Sequence, residues 1–150
     1  MLNYFNIKMI NYFDNKSVSK DEILKEMVLN MAENSEAIEN KDIFYSEILE
    51  RESVGTTGIG MGVAIPHART ESVKEIVLSI WVLKNPVDFN SLDGEKVKIV
   101  ILVGAPKGES KKYLELLSSL SRIFRDKKIR NSILESTTRE CLIEAIAEIV

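Results

Sequence analysis

The sequence predicts a single-domain α/β sandwich, a layered fold in which a central sheet carries helices on both faces. Three observations lead there. Apolar residues recur at helical spacing in the first and last thirds of the chain. Between those thirds lie two near-continuous apolar runs rich in β-branched residues, Ile76–Leu83 and Val97–Val103. A glycine cluster separates the first helices from these runs, and it marks where the chain stops being helical.

The elements follow in order. Met9–Phe13 is a short apolar-rich segment that reads as an edge strand. Ser19 with Glu22 three residues on forms a capping box. Ile23, Leu24, Met27, Val28 and Met31 then give the buried stripe of a first helix. A second helix is expected from Lys41 to about Glu52, with Ile43, Phe44, Ile48 and Leu49 inward. Gly55, Gly58, Gly60 and Gly62 place four of the seven glycines within eight residues. Val63-Ala64-Ile65-Pro66 follows as a short strand. It must end or lie at an edge, because Pro66 has no amide proton to give. Ile76–Leu83 and Val97–Val103 suit central strands covered on both faces, with a turn at Ser91-Leu92-Asp93-Gly94 between them. A helix after them would bury Leu114, Leu117, Leu120, Ser121 and Phe124. Thr137 with Glu140 would open a last helix that buries Cys141, Leu142, Ile146 and Ile149.

The 150 residues suit one domain spanning 1–150, and a chain 45% hydrophobic fills a core without disulfides or metals. Twenty Lys and Arg against 23 Asp and Glu leave a net charge of -3, with no basic run of the kind a nucleic-acid partner needs. One cysteine excludes an intramolecular disulfide and fits a reducing compartment. Met1–Phe13 lacks the apolar core of a signal peptide, and the apolar stretches fall far short of the roughly 20 residues that span a bilayer. A cytoplasmic protein without membrane insertion is expected.

The single histidine, His67, follows Pro66 directly after the glycine-rich loop. Loops at strand ends place reactive groups on a rigid support. A neutral imidazole is a nucleophile near pH 7 and accepts a phosphoryl group without a strong base. Phosphoryl transfer then asks for in-line positioning and positive charge around the equatorial oxygens. Arg51, at the start of the loop, and Arg69, just after His67, offer guanidinium groups, and Thr56 and Thr57 offer hydroxyls. Taken singly, a lone histidine, a glycine turn and an arginine between two glutamates are ordinary surface features. The loop fits neither the P-loop nor the dinucleotide pattern. One histidine and one cysteine do not make a zinc site.

Glu52-Ser53-Val54-Gly55-Thr56-Thr57-Gly58-Ile59-Gly60-Met61-Gly62-Val63-Ala64-Ile65-Pro66-His67-Ala68 resembles the active-site signature of the type 2 enzyme IIA family of the sugar phosphotransferase system. Glu47–Glu52, Ser91–Gly94 and Tyr113–Phe124 are also similar to fructose-type members. The resemblance implies a mixed sheet between helical layers. It implies that His67 takes a phosphoryl group from the histidine phosphocarrier protein HPr and passes it to a cysteine of an enzyme IIB. Arg51 would be the active-site arginine and Thr57 a threonine lining the pocket, with no metal or nucleotide cofactor. Two positions depart from the family pattern. Tyr113 stands where many members have a second histidine, and Met61 where relatives often have Asn, Glu or His.

A nitrogen-related regulatory enzyme IIA is the main rival, and a module that binds partners without phosphotransfer is a third reading. Ala68, where the regulators more often have Gly, and Met61, where they more often have His, favour the sugar type. The intact Arg51 and His67 oppose the third reading. Fructose is the sugar favoured, with galactitol, mannitol and mannose-type systems left open.

Overall fold

In the computed structural model, which describes residues 4–16 and 19–149, the two apolar runs form the centre of a six-stranded sheet. Part of the N-terminal stretch read above as lacking a signal-peptide core, residues 1–3, lies outside the described residues. The strands are β1 (Phe5–Phe13), β2 (Gly58–Gly60), β3 (Val63–Ala64), β4 (His67–Thr70), β5 (Val77–Val87) and β6 (Val97–Pro106). The path across the sheet is β1-β5-β6-β3-β2, and β4 pairs with β6 beyond β3. The sheet is mixed: β5 and β6 are antiparallel, whereas β1 on β5, and β3 and β4 on β6, are parallel.

Helices α1 (Lys20–Asn34) and α2 (Lys41–Val54) pack against one face. Helices α3 (Ser110–Phe124), α4 (Lys127–Leu134) and α5 (Arg139–Ile149) pack against the other. The period of two along a strand divides the central strands between two cores. Trp81, Leu83, Val100 and Leu102 face α1 and α2, meeting Met27, Met31, Phe44 and Ile48. Ile80, Val82, Ile99, Ile101 and Val103 face the other way, against Leu116, Leu120, Phe124, Leu142 and Ile146. The layered fold expected from the pattern is therefore present, with the edge strand, α1 and the central strands where they were expected.

The differences concern helix phase and length. Ser19 caps α1, its hydroxyl accepting from the Glu22 amide at 3.3 Å, and all five residues of the expected stripe are buried. In α2, Phe44 and Ile48 are buried, but Ile43 turns outward at 47% exposure and Leu49 is half-buried. In α3 the buried face is Tyr113, Leu116, Leu120 and Phe124; Leu114 points to solvent and Leu117 and Ser121 are half-buried. Two apolar series overlap along this helix, and the face that reaches the sheet is the one starting at Tyr113. Helix α4, too short and basic to read as a stripe, is capped by Asp126, which accepts from the Lys128 and Ile129 amides. The cap of α5 is Thr138, not Thr137: its hydroxyl accepts from the Cys141 amide at 3.2 Å. Burial then falls on Leu142, Ala145 and Ile146, Ile149 is half-buried, and Cys141 lies exposed rather than in the core.

The glycine-rich segment makes a β2–β3 hairpin, and Gly60, Met61 and Gly62 form its tip with positive φ angles of 89°, 60° and 77°. The turn at 91–94 clamps this hairpin. The Asp93 carboxylate accepts from the Met61 amide at 2.8 Å, and a Cβ at Gly60 would lie 2.9 Å from the same oxygen. A Cβ at Gly58 would overlap the Ser91 hydroxyl. Only glycine allows the two turns to approach this closely. Met61 carries a left-handed backbone that Asn adopts more readily than Met. Since Met61 is 38% exposed, its side chain contributes little burial. Met61→Asn is therefore expected to raise the unfolding free energy by about 0.5–1 kcal/mol. Chemical denaturation measures this, and a lower midpoint for the variant would contradict it.

Candidate active site

His67 is the first residue of β4, immediately after Pro66. Because Pro66 gives no amide proton, the short strand expected over 63–66 divides here: β3 ends at Ala64 and pairing with β6 resumes at His67. The Pro66 carbonyl still accepts from the Val103 amide at 3.0 Å, so the backbone before the histidine stays anchored to the sheet. His67 Nδ1 lies 2.6 Å from the Ile65 carbonyl oxygen. A carbonyl only accepts, so Nδ1 carries the proton and the lone pair of the neutral ring is on Nε2. Burial pulls the His67 pKa below its ordinary 6.5; the positive charge of Arg51 acts in the same direction, and the Ile65 carbonyl opposes both. The ring is thus biased towards the neutral, nucleophilic form.

The imidazole opens into a cleft of about 620 Å³ at the sheet margin. The C-terminal half of α2 supplies one wall with Glu47, Glu50, Arg51 and Val54. Strand β4 supplies the floor with His67, Ala68 and Arg69, the turn after β6 brings Lys107, and the first turn of α3 brings Tyr113. Arg51 sits in the last turn of α2, where its charge opposes the negative helix end. One of its N–H groups is donated to the Gly55 carbonyl at 2.7 Å, which orients the guanidinium and leaves its other donors free. Of the residues singled out from the sequence, His67, Arg51, Arg69 and Tyr113 line this cleft, whereas Thr56 and Thr57 do not.

Tyr113 is buried, and its ring meets the His67 ring edge-on, with centroids 6.0 Å apart. Burial pushes its phenol pKa up to about 12, against the opposing charges of Arg51 and Arg69. It is a neutral group that packs against the imidazole and lines the cleft. Thr57 is 4% exposed and lines a smaller cavity of about 140 Å³ behind His67, together with Arg51, Thr56, Ile65 and Ser121. Its hydroxyl is donated to the Glu52 carboxylate, and its carbonyl accepts from the Ile65 amide at 3.0 Å. Thr57 holds the loop against the strand that carries the histidine.

Glu52, one of the two glutamates beside Arg51 that taken singly read as surface residues, is instead buried at 6% exposure. It ion-pairs with Lys20 at 3.5 Å and accepts from both the amide and the hydroxyl of Thr57. Burial raises its pKa, with Lys20 the leading opposing influence. Helical spacing carries the signal that could have found it. Phe44, Ile48 and Glu52 are four apart on one face. Among the described residues, no group of three or more His, Cys, Asp or Glu is placed to hold a metal ion, and no helix is long and apolar enough to cross a membrane.

Comparisons with known proteins agree with this architecture. The chain is 34% identical over 131 residues to the PTS system fructose-specific EIIABC component of Bacillus subtilis (strain 168), which is 87% of this chain but 20% of that protein. It is 33% identical over 129 residues to the nitrogen regulatory protein of Bradyrhizobium diazoefficiens, covering 86% of this chain and 83% of that one. The crystal structure of nitrogen regulatory protein IIA-Ntr from Neisseria meningitidis superposes with a TM-score of 0.86 at 28% identity, over 99% of this chain and 97% of that one. With residues 3–149 matched by the family description, the chain belongs to the EIIA 2 family of the phosphoenolpyruvate-dependent sugar phosphotransferase system.

Proposed function

We propose that this chain is a cytoplasmic phosphoryl carrier: His67 Nε2 accepts a phosphoryl group from phosphorylated HPr and passes it to a cysteine of an enzyme IIB, in a fructose-type system. The observation that carries the reading is the Nδ1–Ile65 carbonyl contact of 2.6 Å, which leaves the Nε2 lone pair as the nucleophile beside the Arg51 guanidinium. In the first step the Nε2 lone pair forms a bond to phosphorus as the donor's N–P bond breaks, and the donor imidazole keeps that electron pair. The product ring has phosphorus on Nε2 and hydrogen on Nδ1, so it carries positive charge, which the Ile65 carbonyl stabilises. In the second step a thiolate attacks phosphorus, a P–S bond forms, and the P–N electrons return to His67. Arg51 offers charge-assisted hydrogen bonds to the moving group. Thr57 and Tyr113 act by position, one through the loop and one through the ring.

The sugar role draws support from the fructose-specific relative, of which this chain spans about a fifth. A regulatory role draws support from the similarity to nitrogen regulatory proteins in both sequence and fold. Both roles use the same phosphohistidine and differ in what receives it.

Incubation with phospho-HPr is expected to add one acid-labile phosphoryl group per chain, and onward transfer to a fructose-type IIB domain separates the two roles. If His67→Ala takes up label at the normal rate, the acceptor is another group. If the phosphorylated chain gives nothing to IIB, the regulatory role stands in place of the sugar role.

Arg51→Ala is expected to slow acceptance by about ten- to a hundredfold. A charge-assisted hydrogen bond contributes about 1.5–3 kcal/mol, and each 1.4 kcal/mol is about tenfold. Lys at this position restores part of the rate, because it lacks the planar fork. Wild-type rates in Arg51→Ala would remove the guanidinium from the mechanism.

The pH dependence follows from the single imidazole. Its pKa is depressed, so the nucleophilic form persists through neutrality and is lost only as pH falls below about 6.5 towards the lower folded value. The acceptance rate should be flat above about 6.5 and fall on one limb below it. Tyr113→His should add a second limb, because a cationic ring would then face the phosphoryl group. Two limbs in the wild-type protein would contradict this.

A further inference from the structure

We infer that Arg69 is a second phosphoryl-binding residue of the cleft, contacting the group on His67 from the side opposite Arg51; this rests on the phosphocarrier reading above. Successive residues of β4 alternate between faces, with His67 half-buried, Ala68 buried, Arg69 exposed and Thr70 buried. His67 and Arg69 therefore leave the same face of the strand, about 6.6–6.8 Å apart along it. Arg69 lines the same cleft as His67, Arg51 and Tyr113. Arg51 reaches this cleft from α2 and Arg69 from β4, beside the Tyr113 ring packed on the histidine, and both charges act on the Tyr113 phenol.

The Arg69 side chain is held there by one contact, a donation from its guanidinium to the Ser110 hydroxyl at the first residue of α3. That contact occupies one of five N–H groups, and the Ser110 hydroxyl, accepting from arginine, keeps its own hydrogen to donate. No carboxylate pairs with Arg69 among the described residues, whereas Lys107 in the same cleft is paired with Glu71 at 3.9 Å. Arg69 is thus a cation fixed in place with most of its donors open to the cleft. The tyrosine at 113 is neutral, so it contributes no charge to a phosphoryl dianion. Arg51 approaches from α2 and Arg69 from β4, and together they give the transferring group a permanent cation on each side.

The competing role for an exposed arginine is to steer the protein donor, and the test separates the two. Phosphoryl transfer to wild type, Arg69→Gln and Arg69→Lys is measured with phospho-HPr at saturation, and with phosphoramidate, a small phosphoryl donor that has no docking surface. Arg69→Gln is expected to slow labelling of His67 by about tenfold with both donors, with Arg69→Lys intermediate and the melting temperatures unchanged. Ser110→Ala, which releases the arginine from its support, is expected to show a smaller loss of the same kind. A defect confined to phospho-HPr, and seen as a raised KM with normal saturating rate, would make Arg69 a docking charge and overturn the inference. Normal rates for Arg69→Gln with both donors would overturn it as well, while wild-type labelling at His67 left the carrier reading intact. If wild type itself takes label from neither donor, the carrier reading fails, and the role of Arg69 fails with it.

Discussion

The buried carboxylate of Glu52 is the constraint on which the site depends. It is the one charged residue among the buried polar groups of the described residues, and three elements meet on it. Lys20 reaches it from the first turn of α1, the carboxylate itself leaves the last turn of α2, and Thr57 binds it from the glycine-rich loop. Burying a carboxylate is costly unless partners replace its water. Its pKa is nonetheless raised, so desolvation outweighs Lys20 and the Thr57 donors. The sign follows: stability from this group is fullest at low pH and is lost as pH rises through the raised folded value. Ionisation of Glu52 therefore opposes folding rather than favouring it. The residue's effect is geometric, since it ties the loop to the end of α2 that carries Arg51.

That tie explains how a loop of small residues serves as a rigid support. Glycine is needed at 58 and 60 because the 91–94 turn presses on the hairpin there, and freedom of that kind would ordinarily leave a loop mobile. Here the freedom is removed at both ends. Asp93 holds the tip through the Met61 amide, and Glu52 holds the base through Thr57. The Ile65 amide is bound to Thr57 and the Ile65 carbonyl to His67 Nδ1, so the imidazole inherits the position of the loop. Behind this stands the β5–β6 pair, both of whose faces are covered.

How much of this was legible in the sequence varied with the physics of each element. The α1 stripe was, because its apolar residues have one phase only and Ser19 caps it. The central strands were, because unbroken β-branched runs fit nothing else of that length. The phase of α3 was not: Leu114, Leu117 and Ser121 form a series parallel to Tyr113, Leu116, Leu120 and Phe124, and only packing chooses between them. Cys141 was misplaced because Thr137 and Thr138 both offer a cap, and the choice rotates the expected face by one residue. The motif around His67 singled out His67 and Arg51, which share one cleft. It could not assign the loop hydroxyls, since the Thr57 proton goes to a residue that reads as solvated.

With Tyr113 where the family resemblance leads one to expect a second histidine, the site differs in character from one with two imidazoles. Two imidazoles in one cleft would titrate together, so the charge facing the phosphoryl group would depend on pH and on whether His67 is loaded. With a phenol pushed up to about 12, that dependence is gone. The remaining positive charges near His67 are arginines, which stay protonated at any physiological pH. Burial holds the His67 pKa down, and the Arg51 charge acts with it by disfavouring the imidazolium. In the carrier reading, the same Arg51 charge that disfavours the imidazolium would attract the dianion that His67 receives. In that reading one imidazole would supply the chemistry that titrates and fixed cations the field, which would leave the phosphoryl group's direction of travel to be set by the partner rather than by pH.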